Sequence, residues 1–340
     1  MKTVLLTGAF GNVGQSALKA LRELGHAVRA FEYPSRRNKA MAGHLCTPEE
    51  LIWGDIRNPA EVMAAARDVD AIIHLAALIP PGADRNPGLA RQINVGGTAN
   101  VLAAARASDK NPRLVFSSSV ATYGDRVKNF FIRTDDPLAP CPDDVYAAQK
   151  VECEALVRNS GLPWVICRLS YIVWRKKLAM DSLMFRMPLD TRLEVCHTED
   201  TGLALARAAF CDQALGGTYN LAGGPSCRTS FREYLDRMLA IFGLGGVGFL
   251  PEEAFSQTGY HCGYMDTEDS ERLFRYQRKT LEDYYAEVEE EARPVRFWAR
   301  MFRPLARASV LARSPYLRAY LAERGMRAIL HPAAARLESR

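Results

Sequence analysis

The chain has 340 residues, of which 48% are hydrophobic and 24% charged, with a formal net charge of +5. That length exceeds one ordinary domain and favours one large α/β domain with a smaller appendage. No uninterrupted apolar run approaches membrane-spanning length. The eight cysteines (46, 141, 153, 167, 196, 211, 227, 262) form no C-x-x-C pair or histidine-spaced cluster, so neither a metal site nor a disulfide framework is expected.

The charge is uneven. Residues 293–340 contain eleven arginines and two glutamates, which leaves a net −4 for residues 1–292. The first strand begins at once, without the basic and apolar segments of a secretory leader, so a soluble, cytoplasmic protein is expected.

Thr3-Val-Leu-Leu-Thr7 is continuously apolar, as a strand buried on both faces of a parallel sheet would be. Gly8, Gly11 and Gly14 follow in G-x-x-G-x-x-G spacing. Val13, Ala17, Leu18, Leu21 and Leu24 then recur at helical spacing up to Gly25. Strand, glycine turn and helix together form a cradle for a dinucleotide pyrophosphate, which would lie on the free N–H groups of the helix start. Glycines before a helix also occur for steric reasons alone. Here, however, a second strand, His26–Phe31, ends on Glu32, about twenty residues downstream, where a carboxylate can accept from the adenosine ribose hydroxyls.

Tyr33–Lys39 reads as a turn-rich loop with three cations, and Arg36 or Arg37 would suit a 2′-phosphate. Glu32 would repel that phosphate, so NAD is preferred over NADP. A third strand around Leu51–Trp53 leads to Asp55, and a helix begins near Pro59. Asp55 either caps that helix region or accepts from the adenine amino group while Ile56 packs on the ring. The fourth strand, Ala71–Ala77, ends in Leu75, Ala76 and Ala77, small enough at its end to admit a ligand, and His74 reads as a satisfied core histidine.

A long helix is expected over Pro87–Ala107. Asn94 interrupts its apolar face, either to bond a neighbouring backbone group or to hold the end of the fourth strand and a catalytic water. A fifth strand, Arg113–Phe116, runs into Ser117, Ser118 and Ser119 at the carboxyl edge of the sheet, where open α/β sheets bind ligands. Tyr146 and Lys150 are four apart on a predicted helix and share a face. A tyrosine hydroxyl ordinarily titrates at about pH 10, and it becomes an acid/base near neutrality if a lysine ammonium and a cationic cofactor ring favour the phenolate. Ser119 would orient the same substrate oxygen. The pair alone also fits a solvent-facing contact.

Thr7–Gly14, Gly54–Asn58, His74–Ala77, Asn94–Thr98, Phe116–Gly124 and Tyr146–Lys150 occur in that order. Together they resemble the extended short-chain dehydrogenase/reductase family, in its NAD-dependent epimerase/dehydratase branch that includes UDP-galactose 4-epimerase. The resemblance covers about residues 1–290. It implies a doubly wound Rossmann sheet over residues 1–168, to which some later segments return, and a small, mainly 169–292 α/β substrate domain. Residues 293–340 would be a basic helical extension.

It further implies Ser119, Tyr146 and Lys150 as catalytic residues. Gly8, Phe10, Gly11, Asn12, Val13, Gly14, Glu32, Asp55, Ile56, Leu75, Ala76, Ala77, Asn94, Tyr146 and Lys150 would bind NAD. The helices around Asn94 and Tyr146 would pair with a second subunit in a homodimer.

Beyond Lys150 the pattern thins. Pro163–Arg168 looks like the family's sixth strand, but Leu169–Trp174 and the short basic stretch Arg175–Pro188 replace its usual sugar-gripping insertion. Asp200 reads as the N-cap of a helix over Leu203–Phe210. Thr218–Leu221 fits a late strand, Ser230–Phe242 an amphipathic helix, and Tyr264–Thr267 the family's late turn. Arg296, Arg300, Arg303 and Arg307 beside Phe297, Trp298, Met301 and Phe302 suggest a basic amphipathic helix broken near Pro304. This helix either packs on the acidic body or docks on an anionic membrane face; no nucleic-acid reading module accompanies it.

The expected function is hydride transfer at a secondary alcohol or ketone of a sugar-like or nucleotide-sugar substrate, with Tyr146 as acid/base. A dehydrogenase of a less polar, sterol-like or lipid-linked alcohol is the alternative. A non-catalytic cofactor-sensing protein is a third reading, which the intact Ser119, Tyr146 and Lys150 disfavour.

Overall fold

The structure is a computed structural model that describes residues 1–175 and 182–324. Lys176 to Asp181, part of the basic stretch Arg175–Pro188, and the last sixteen residues lie outside the described set.

Among the described residues twelve strands occur in chain order. They are β1 (Thr3–Thr7), β2 (Ala27–Glu32), β3 (Leu51–Trp53), β4 (Ala71–His74), β5 (Arg113–Ser119), β6 (Phe131–Ile132), β7 (Trp164–Leu169), β8 (Tyr171–Val173), β9 (Arg192–His197), β10 (Thr218–Leu221), β11 (Arg228–Ser230) and β12 (Tyr264–Met265). Seven form one sheet in the order β10-β7-β5-β4-β1-β2-β3, and every pairing in it is parallel. The order reverses between β4 and β2 on either side of β1, which leaves a crevice at the carboxyl ends there.

Both faces of this sheet are buried, which is why its strands are continuous apolar runs instead of alternating ones. Val4, Leu6, Ile73, Val115 and Val165 face one helical layer, containing Leu18 and Leu205. Leu5, Ile72, Leu114 and Ile166 face the other, containing Val101 and Val157. Each such side chain contributes about 1.5–3 kcal/mol on full burial. β10 joins the sheet some fifty residues after β7.

A second core lies beyond the carboxyl edge, over the three-stranded sheet β11-β9-β8. It gathers Val173, Phe185, Leu193, Phe231, Phe249 and Tyr284 with Val310, Leu311 and Leu317 from the arginine-rich extension. The extension is helical through Arg303–Leu311 and Pro315–Glu323. It is pinned where the buried Ser314 hydroxyl donates to the Ala254 carbonyl at 2.6 Å.

Two sequence expectations are corrected here. Tyr33–Lys39 is not wholly a loop: Ser35 accepts from the Asn38 N–H and starts a helix over Arg36–Leu45. Asp200 is not an N-cap. The helix begins earlier, at Thr198, capped by His197, and the Asp200 carboxylate instead accepts from the Arg278 and Lys279 N–H groups, both at 2.9 Å.

Candidate active site

The glycine turn is shaped by close approach. Gly8 sits at φ +70°, and a Cβ there would come within 2.8 Å of the Ala76 backbone nitrogen. A Cβ on Gly14 would lie 2.2 Å from the Gly8 carbonyl. Side chains at either position would therefore separate the helix Asn12–Glu23 from β1 and β4. That helix has no side-chain cap at Gly11 and no acidic residue in its first turn. Its first N–H groups, at Asn12, Val13 and Gly14, are thus left for an anion.

In front of the turn lies a groove of about 510 Å³. Gly8, Phe10, Gly11, Glu32, Asp55, Ile56, Leu75, Ala76 and Ala77 line it. Sequence reasoning singled out all nine. It did not place Asn38, Arg57, Leu89 or Ile93 in the wall, because their side chains arrive from one loop and from helical segments whose approach no local pattern records.

Glu32 is already engaged. One oxygen accepts from the Phe10 N–H at 2.9 Å and the other from the Tyr33 N–H and the Asn38 amide. Burial raises its carboxyl pKa against those bonds and the Arg37 charge. Asp55 accepts a two-pronged bond from Arg57, whose guanidinium holds its carboxyl below the ordinary value. The cap of the helix at Pro59 is Asn58, so that role does not fall to Asp55.

His74 is a core residue, as read. Its Nδ1 lies 2.7 Å from the Thr7 hydroxyl and its Nε2 3.1 Å from Thr98. The Thr98 hydroxyl donates to the Asn94 carbonyl, so it accepts from Nε2–H. Burial drops the His74 pKa to about 3, keeping the ring neutral. Asn94 sits in a π-helical turn, Gln92–Gly96. Its side chain bonds the Leu78 N–H and carbonyl at 2.7 and 3.0 Å and donates to Gln149. It therefore clamps the segment leaving β4 to the helix Val145–Arg158.

That helix begins on the Asp144 cap and carries Tyr146 and Lys150 to the end of β5. The Lys150 ammonium is buried, donates to the Ser117 carbonyl at 2.6 Å, and lies 4.7 Å from the Phe116 ring centroid and 5.8 Å from that of Tyr146. Burial lowers its pKa to about 8. Tyr146 is raised above its ordinary value by burial and the Asp144 carboxylate, while a hydrogen bond with Ser119 opposes the rise. The sequence reading joined Lys150 with the cofactor ring as the charges that favour the phenolate; in the protein alone the ammonium is directed at a backbone carbonyl and the phenol stays raised.

Ser119 and Tyr146 open onto a second cavity of about 580 Å³. Asp84, Asp143, Asp144 and Arg186 also line it, with Tyr260, His261 and, from the extension, Tyr316. Sequence reasoning missed Tyr316 because no family pattern extends that far. Arg186 donates to Asp84 at 2.7 Å, and burial lowers His261 to about 4. Tyr316→Ala is expected to change affinity for whatever occupies this cavity several-fold and to leave NAD affinity unchanged, as calorimetry with each ligand measures.

Residues 4–173 match the NAD dependent epimerase/dehydratase family, half of the chain. The protein belongs to this family. An uncharacterized epimerase/dehydratase of Staphylococcus aureus (strain USA300) is 29% identical over 158 residues, 46% of this chain and 47% of that protein. The chain thus spans about half the length of the curated relatives it matches.

Solved structures resemble this family member over more of its length. A short-chain dehydrogenase/reductase superfamily protein from Agrobacterium tumefaciens with bound NAD gives a TM-score of 0.68 at 22% identity, covering 88% of this chain and 99% of that one. UDP-glucose-4-epimerase from Stenotrophomonas maltophila, with bound NAD and formylated UDP-arabinopyranose, gives 0.69 at 20% identity over 86% and 98%. At these identities the likeness carries the fold. No metal-binding cluster occurs among the described residues, and no described helix is long and apolar enough to cross a membrane.

Proposed function

We propose that this family member is an NAD-dependent enzyme of the epimerase/dehydratase type, acting at a secondary alcohol or ketone of a sugar-like, nucleotide-linked substrate. The observation that carries this reading is the position of Ser119 and Tyr146. They stand on the cavity wall, with Lys150 buried behind them, next to a groove whose uncapped helix start and close-approach glycines fit a dinucleotide. NAD supplies a hydride acceptor and a positively charged ring when bound. Tyr146 takes the proton of the reacting hydroxyl and returns it, and Ser119 holds that oxygen. Lys150 would hold the nicotinamide ribose when the cofactor is bound. Residues 1–168 with β10 serve the cofactor and 169–292 mainly the substrate. The helices around Asn94 and Tyr146 pair two subunits.

The test is incubation with UDP-glucose, UDP-galactose and UDP-glucuronic acid, following sugar configuration by NMR and NADH by absorbance. An epimeric product without net NADH supports the proposal, and no conversion of any nucleotide sugar overturns it. A second reading, a dehydrogenase of a less polar alcohol, is favoured by the cavity charge. Among the described residues lining it, the one guanidinium is already paired with Asp84, and three carboxylates offer nothing to a diphosphate. Free NADH accumulating from an apolar secondary alcohol would decide for it.

NAD is expected to bind more tightly than NADP because Glu32 repels a 2′-phosphate. Titration of both into stripped protein checks this, and tighter NADP binding would show that Arg37 and Arg57 outweigh the carboxylate.

The pKa of Lys150 gives a pH prediction. Below about 8 the ammonium is present, and as pH rises through that value it is lost, so NAD affinity should fall there in the native protein and not in Lys150→Met. The unfolded chain keeps its proton up to about 10.4, so between those values this group makes stability rise with pH. A fall in affinity that accompanies unfolding would therefore not come from Lys150.

A further inference from the structure

The helix Leu281–Met301 divides into two unlike halves. Its first half buries Leu281, Tyr284, Tyr285, Val288 and Ala292 in the second core. In its second half, and on into the following helix, the apolar residues turn to solvent. Val295, Phe297, Trp298, Met301, Phe302 and Leu305 are 45–67% exposed. The rings lie together: Trp298 stacks on Phe302 with centroids 6.1 Å apart, and Phe297 meets Trp298 edge-on at 5.5 Å. At about 200 Å² per aromatic side chain, these three rings alone expose on the order of 350 Å². That already reaches the size of the largest apolar patch on an ordinary monomer, about 300–600 Å².

The patch is not on a loose tail. Val310, Leu311 and Ser314, just beyond it, are buried against Phe249 and Ala254, and Arg307 donates to the Phe249 carbonyl at 2.7 Å.

The charge around the patch selects its partner. Residues 293–324 contain eight arginines and no lysine, with Glu323 the only acid. Arg293, Arg296 and Arg300 are exposed on the same helix as the rings, with Glu289 pairing only Arg296. A second copy would bring a surface of the same sign to this patch, since residues 293–324 set eight arginines against Glu323, and a contact confined to that stretch is repulsive. Residues 325–340 add Arg327, Arg336 and Arg340 against Glu338 alone, so they share the sign of the patch instead of complementing it.

We propose that this surface docks the protein peripherally on an anionic lipid bilayer. The Trp298 and Phe297 rings enter the headgroup boundary, and the flanking arginines meet lipid phosphates. The catalytic reading is not needed for this inference.

Co-sedimentation of the full chain with phosphatidylcholine vesicles, with and without phosphatidylglycerol, tests it. Binding is expected to the anionic vesicles and to be reversed by salt. Arg293→Glu/Arg300→Glu should lower partitioning by at least about tenfold. Trp298→Ser/Phe302→Ser should remove it, with NAD binding and melting temperature retained in both variants. No sedimentation of the native protein with anionic vesicles, or undiminished binding by both variants, would overturn the proposal. So would a native dimer in sedimentation velocity that Trp298→Ser/Phe302→Ser converts to monomer, since a second copy would then cover the patch.

Discussion

Tyr146→Phe is expected to lower kcat by about 10²–10⁴-fold, the usual size of a general acid/base contribution, while NAD affinity and melting temperature stay near native. The substitution removes one oxygen and leaves the ring beside Lys150. The aromatic packing therefore survives, and only the bond to Ser119 and the transferable proton are lost. In the protein alone, burial and the Asp144 carboxylate hold the phenol protonated. The charge that favours proton release must come largely from the bound cofactor ring. Ser119→Ala should cost less than Tyr146→Phe, because it removes an orienting bond and not the proton carrier. Native turnover by Tyr146→Phe on the substrate identified in the nucleotide-sugar screen would refute the assignment, and equal losses of kcat and NAD affinity would make the residue structural.

The glycine turn, the strand ends and the Tyr146–Lys150 helix could all be read from the sequence because local rules govern them. Buried parallel strands are apolar throughout, close backbone approach demands glycine, and a four-residue helical spacing fixes a common face. The partners of a side chain were not legible. The sequence places Asp200 before a run of helical spacing, which is where a cap belongs, and nothing local says that residues 278–279 will fold back onto its carboxylate. The same holds for Lys150, whose ammonium is taken by the Ser117 carbonyl. For Tyr316, the position on the cavity wall depends on how the extension packs against the second core, over contacts sixty residues apart.

Glu154 is the clearest case of a residue without a sequence signal, and its replacement should have the largest effect on stability. It is fully buried on the Tyr146–Lys150 helix and accepts from Ser118 at 2.5 Å, from Arg168 at 2.8 and 2.9 Å, and from Arg158 at 2.9 Å. Arg168 in turn donates to the Tyr123 hydroxyl at 2.6 Å and the Thr134 carbonyl at 2.9 Å, and Tyr123 donates to Asn220. The network ties β5, β7 and β10 together directly beneath Ser119. Glu154→Ala leaves the Arg168 guanidinium buried without its counter-ion, at a cost of about 3–5 kcal/mol, enough to lower the melting temperature of a chain this long by roughly 4–7 °C. Double replacement with Arg168→Met removes the unpaired charge as well and should recover much of the loss. Hydrogen bonds from Arg168 and Ser118, with the arginine charges, lower the Glu154 pKa despite its burial. A depressed folded pKa gives stability that is fully present above the unfolded value of about 4.3 and is lost as pH falls through the folded one. The native protein should therefore lose this contribution only at strongly acid pH, and Glu154→Ala should show a correspondingly shallower acid limb in thermal melts. A melting temperature within about 1 °C of native for Glu154→Ala, less than even 1 kcal/mol would produce in a chain of this length, would show that the buried pair does not stabilise the carboxyl edge.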